Sequence, residues 1–167
     1  MHPLQSLIAR HQHGIACGVT SICSAHPLVI EAALRHAQRH DLPLVLFEAT
    51  CNQVNQDGGY TGMTPADFVR FVHAIAHQVG LDPARILLGG DHLGPNPWAA
   101  LPAEAAMRKA EAMIAAYASA GFSKLHLDCS MACADDPTPL PEAIIVQRAV
   151  RLCRVAEAAY PQAGGPA

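Results

Sequence analysis

The amino-acid sequence predicts a parallel α/β fold built from four strand–helix units. Short apolar runs alternate with longer stretches of helical periodicity, and the alternation returns about every 40 residues along the chain. Each apolar run also closes on polar residues and a loop, as strands do when their ends carry function.

The first strand is expected over 14–23, GIACGVTSIC, and the first helix over 26–40, where Ile30, Ala33, Leu34 and Ala37 recur on one face. Pro43 introduces the second strand, 43–50, PLVLFEAT. A polar, glycine-rich loop leads to Thr64, a good N-cap with Pro65 at the first helical position. That helix runs to Gly80 with Phe68, Val72, Ile75 and Val79 as its apolar stripe. The third strand is ARILLGGDHL, 84–93, and the alanine-rich segment 102–120 is a helix stopped by Gly121. KLHLDCS, 124–130, is the fourth strand, and after the loop 131–141 a helix covers 142–160. The N-terminal segment, with His11 and His13, supports no assignment.

Strands that alternate with helices pair in parallel through right-handed crossovers. Four such units make either half of a (β/α)8 barrel or a small doubly wound sheet. No Gly-x-Gly-x-x-Gly follows a strand and GGDHLG lacks a following Lys, which removes the dinucleotide and P-loop readings and favours the barrel. Such barrels typically need about 250 residues. The chain therefore reads as one partial TIM-barrel domain over 1–167, the N-terminal half, truncated after the fourth βα unit. Its apolar edges at strands one and four imply an oligomer.

The formal charge of -3 and 11 scattered basic residues offer no electrostatic footprint for nucleic acid or an anionic membrane. No apolar stretch approaches the roughly 20 residues of a membrane span, and no signal-peptide run opens the chain, so a cytoplasmic location is expected. Cys17, Cys23, Cys51, Cys129, Cys133 and Cys153 form no Cys-x-x-Cys pair and read as buried thiols.

Active sites of parallel βα folds lie at the C-terminal ends of the strands. Glu48, Asp91 with His92, and Asp128 with Ser130 occupy those positions, and converging carboxylates call for a cation or a hydrogen-bonded ligand. His126, Asp128 and Ser130 alternate with Leu125, Leu127 and Cys129, so that polar set shares one face. His92 is read as the sole histidine at a strand terminus, and imidazole suits a zinc-type metal. A second reading stays open, in which Asp91 orients the loop and His92 only packs. Asn52, Gln53, Asn55 and Gln56 supply amides suited to sugar hydroxyls. The pairs His36/His40 and His73/His77 are expected on the outer helix surface, and Trp98 against the loop that enters the third helix.

The segments 47–68, FEATCNQVNQDGGYTGMTPADF; 87–98, LLGGDHLGPNPW; and 124–141, KLHLDCSMACADDPTPLP, closely resemble the GatZ/KbaZ family. That resemblance implies a TIM barrel more than twice this length. It also implies either the non-catalytic subunit of a class II D-tagatose-1,6-bisphosphate aldolase, working with a separate catalytic aldolase chain, or a metal-dependent ketose-phosphate 4-epimerase acting on tagatose 6-phosphate. Galactitol and N-acetylgalactosamine catabolism is the implied setting, and an inactive fragment is the third alternative. A more distant likeness to catalytic class II aldolases implies that Asp91 is an acid/base and His92 a ligand of a divalent metal, zinc first, with the other ligands beyond this chain. Glu48, Asn52, Gln53, Asn55, Asp128 and Ser130 are then the expected contacts to a sugar phosphate.

Overall fold

The computed structural model describes residues 3–160. A first helix, α1 (Pro3–Gln12), precedes β1 (Ser21–Cys23) and α2 (Pro27–Arg39). Then come β2 (Val45–Thr50), α3 (Pro65–Val79), β3 (Ile86–Leu93), α4 (Ala103–Ser119), β4 (Lys124–Leu127) and α5 (Glu142–Ala159). The four strands form one parallel sheet in the order β1-β2-β3-β4. A doubly wound sheet reverses its strand order at a switch point; this sheet advances in one direction, as a (β/α)8 barrel does.

Each helix forms where its apolar period meets a start signal. In α3 the Thr64 side chain accepts from Asp67 N while Asp67 accepts from Thr64 N at 3.0 Å, a reciprocal capping box, and Gly80 ends the helix at φ 81°. Its whole expected stripe, Phe68, Val72, Ile75 and Val79, is buried. From α2 to α5 consecutive helices pack on one another, and together with Val45, Phe47, Ala49 and Leu88 from one sheet face they make the core. Burying side chains of this size contributes about 1.5–3 kcal/mol each. Tyr117 of α4, fully buried, donates its hydroxyl to Val54 O at 2.9 Å and so ties the loop after β2 to the helix layer.

One expectation at the N-terminus is corrected. The first strand is three residues, Ser21–Cys23, because only these pair with Leu46, Phe47 and Glu48 on β2; 15–20 joins no ladder. The unassigned start is the helix α1, with His11 in its last turn and His13 bonded through Nδ1 to Ala9 O at 2.7 Å. Elsewhere the strands are shorter than expected at their ends: 43 and 44 precede β2, 83–85 is a 3-10 turn, and β4 stops at Leu127. The cysteines divide as well. Cys51, Cys129 and Cys133 are buried, Cys17 is half-buried, and Cys23 and Cys153 are exposed. Among the described residues no helix is long and apolar enough to cross a membrane.

Candidate site at the strand ends

The sheet face away from the helices carries a polar row. The register aligns Cys23 with Glu48, Glu48 with Gly89, and Gly89 with Lys124. Glu48 is 4% exposed, and its two oxygens take the Ser21 hydroxyl and the Lys124 ammonium. β2 and β4 are not neighbours, so this ion pair must cross β3. Gly89 is what permits the crossing: a Cβ there falls 2.8 Å from Glu48 Oε1. Lys124 Nζ also stands 4.0 Å from Asp91 Oδ1, which links the buried row to the strand ends.

Successive residues of a regular strand face opposite ways, so an adjacent Asp and His should separate. They do not, because the β3–β4 register shifts between Gly90 and Leu93 and His92 adopts φ 51°. A bulge re-aims a side chain in this way, at a backbone cost of roughly 1–2 kcal/mol for a non-glycine residue in the left-handed region. Asp91 Oδ2 lies 2.9 Å from His92 Nδ1, and Asp91 Oδ1 lies 2.9 Å from His126 Nδ1 of β4. The two rings meet edge to face with centroids 4.6 Å apart. Close approach of the backbones makes this possible: Gly94 sits where a Cβ would be 1.7 Å from Asp128 O.

Partial burial alone raises the Asp91 pKa, yet hydrogen bonds to His126 and His92, with the charges of His92 and Lys124, hold the carboxyl below its ordinary range. Asp128 is likewise lowered, first by its hydrogen bonds with Ser130, at 2.6 Å to Oγ and 2.9 Å to N, against the effect of burial. Burial first, then the Asp91 carboxylate, pushes the Cys23 thiol up to about 11.

Asp91, His92 and His126 offer ligand atoms that all lie within 4.8 Å of one another. Two imidazoles and one carboxylate are a donor set that zinc and related divalent ions accept. His92 is thus not the sole strand-end histidine; His126, one residue before the end of β4, joins it. Alternation along 124–130 places His126 on the polar face, and only the bulge that brings His92 to the same side is hidden from the sequence. Lys124 and Ser21 also escape sequence reasoning, because nothing local marks a Lys opposite a Gly as the partner of a Glu two strands away.

Two of the four loop amides, Gln53 and Asn55, bond to the loop's own backbone. Asn55, buried, donates to Cys51 O at 2.9 Å and accepts from Asp57 N and Gly59 N. Gln53 accepts from Thr50 N at 2.9 Å, Gln56 donates to Lys109 O, and Asn52 is exposed. Asn55 and Gln53 therefore build the loop 51–63. Trp98 lies in the 3-10 turn Asn96–Trp98, packed on the core with Lys109 Nζ 5.5 Å from its ring centre. His36 of α2 and His40, its C-cap, are exposed with their rings tilted at 43° and centroids 4.4 Å apart, His77 is exposed and His73 half-buried on α3.

Comparison with known proteins bears on the family and the fold. A family model described as D-tagatose-1,6-bisphosphate aldolase subunit GatZ/KbaZ-like matches residues 4–167. The chain is 58% identical over 154 residues to a D-tagatose-1,6-bisphosphate aldolase subunit GatZ from Salmonella paratyphi B, covering 92% of this chain and 36% of that relative. A GatZ subunit from Klebsiella pneumoniae is 58% identical over 157 residues with the same coverage. A solved structure titled a probable tagatose 6 phosphate kinase from Sinorhizobium meliloti is 67% identical, with a TM-score of 0.83 over 86% of this chain and 37% of that one. The chain spans about a third of the length of these relatives.

Proposed function

The chain belongs to the GatZ/KbaZ-like family, and from that premise we propose that the protein carrying it is a supporting subunit of a D-tagatose-1,6-bisphosphate aldolase, acting with a separate catalytic chain in tagatose catabolism. The observation that carries this reading is the match over 4–167 to relatives named as that subunit. The strand-end site then receives the sugar phosphate, with Asp128 and Ser130 at its rim and Glu48 as the buried anchor below. The kinase title of the Sinorhizobium protein is not carried over. Here the strand ends present carboxylates and imidazoles, and Gly89 is taken up by packing against Glu48 and Gly90 by packing against Leu93.

One feature favours a second reading, a free-standing metal-dependent ketose-phosphate 4-epimerase: the cluster of Asp91, His92 and His126. A divalent ion held there supplies Lewis-acid polarisation of the ketose oxygen. Asp91 takes the proton of the C4 hydroxyl as the C3–C4 bond breaks, leaving an aldehyde and a three-carbon enolate. When the enolate attacks the other face of that aldehyde, the bond re-forms and the proton returns to the C4 oxygen, so C4 is inverted. Aldolase and epimerase differ in whether the aldehyde leaves before it is attacked again.

The test uses the protein carrying this chain, purified alone and with a class II aldolase chain. It is incubated with D-tagatose 6-phosphate and, separately, D-tagatose 1,6-bisphosphate, and products are followed by carbon NMR. A stable complex with raised bisphosphate cleavage that survives Asp91→Asn supports the subunit. Fructose 6-phosphate formed by the protein alone, and lost in Asp91→Asn, overturns it in favour of the epimerase.

A further inference from the structure

We propose that His126 is a direct ligand of the divalent ion, so that this chain supplies both imidazoles of the site, with Asp91 fixing the two rings. The inference rests on the metal-binding reading of the strand ends, and it departs from the expectation that all ligands besides His92 lie outside the chain.

Three independent features converge on it. The first is chemical. A ligating histidine almost always gives its second ring nitrogen to a carboxylate or carbonyl, which sets the tautomer and the ring orientation. Here one carboxylate serves two rings, Oδ1 to His126 Nδ1 and Oδ2 to His92 Nδ1, each at 2.9 Å. With Nδ1 of each ring donating to this carboxylate, Nε2 of each is left to bind the ion; the His92 backbone N–H, 3.4 Å from His126 Nδ1, is the longer and weaker contact at that nitrogen.

The second is backbone geometry. A left-handed φ of 51° at His92 and the slipped register between Gly90 and Leu93 cost energy and bring no burial, since the His92 side chain stays 58% exposed. What the bulge achieves is to place His92 beside His126, ring centroids 4.6 Å apart. Gly94 holds that arrangement by letting β3 approach Asp128 O more closely than any side chain allows.

The third is accessibility. The His126 side chain is 45% exposed and the Asp91 side chain 19%, so the rings reach solvent while the carboxylate behind them is sheltered. An ion can enter at the rings without unpacking the sheet. The Lys124 ammonium, 4.0 Å from Asp91 Oδ1, lies on the carboxylate side of the cluster and is paired with Glu48.

The test is Co(II) binding to the protein carrying this chain, read by visible d–d absorption and by metal content after dialysis, with circular dichroism to confirm folding. His126→Ala is expected to weaken binding at least ~100-fold, as His92→Ala does, and Asp91→Asn roughly 10–100-fold, the usual effect of an outer partner. His126→Cys is expected to add a thiolate-to-cobalt charge-transfer band in the near ultraviolet, which only a direct ligand produces. A folded His126→Ala variant that binds Co(II) within about threefold of the parent with an unchanged spectrum, together with no new band in His126→Cys, overturns the proposal. So does a parent protein that takes up no Co(II). That last result leaves the supporting-subunit reading intact, because that reading is judged on complex formation and bisphosphate cleavage.

Discussion

Lys124→Met tests the ion pair that crosses β3. The substitution keeps most of the side-chain volume and removes the ammonium, leaving Glu48, 4% exposed, with Ser21 as its remaining partner. Removing one member of a buried pair costs about 3–5 kcal/mol. Lys124 keeps 32% of its side chain in solvent, so water weakens the pair and the expected loss is nearer ~2–3 kcal/mol. Urea unfolding of the protein carrying this chain, followed by far-ultraviolet circular dichroism, measures it. Glu48→Gln combined with Lys124→Met is the control, since it removes the stranded charge and is expected to recover at least half of the loss. If Lys124→Met lies within ~0.5 kcal/mol of the parent, the size of an ordinary surface substitution, the crossing pair carries no weight and the reasoning fails.

Gly94→Ala places a Cβ 1.7 Å from Asp128 O, which backbone movement must relieve; a loss of at least ~3 kcal/mol is expected, and Co(II) uptake should fall with it. Tyr117→Phe deletes the bond to Val54 O and should cost about 1–2 kcal/mol, with faster amide exchange in 51–63 while α4 keeps its protection. Asp136 accepts two bonds from Arg148, at 2.6 and 2.8 Å, and these hold its carboxyl below the ordinary range. A depressed carboxylate contributes stability that is present above its unfolded pKa of about 3.9 and lost as pH falls through the lower folded value. Urea midpoints of the parent and Asp136→Asn should therefore differ most near neutral pH and draw together as pH falls through the lowered folded value; a gap that stays constant into acid would count against the pair.

Much of the fold is legible because its determinants are local. The stripe of α3, its Thr64 cap and its Gly80 stop all lie within one segment, and all three are found as expected. The first strand comes out too long in the sequence reading because 14–20 has the composition of a strand, while strand formation needs a partner and β2 provides one only to Ser21–Cys23. The site divides in the same way. Asp91 and Asp128 are visible as acids at strand ends, but the alliance of His92 with His126 depends on a register shift between two strands. Reasoning from residue chemistry alone fails for the loop amides as well: Asn55 and Gln53 have the groups a sugar needs, yet the backbone of 50–59 consumes them.

The single-direction strand order bears on how the site comes into being during folding. Asp91 and His126 are 35 residues apart and belong to one β3-α4-β4 crossover. Closing a loop of that length is a modest entropic step, and each doubling costs only about 0.6 kcal/mol more. The two rings and their carboxylate can meet once β4 docks on β3, before any long-range closure of the sheet. Contact order thus places this cluster among the early structures of the chain.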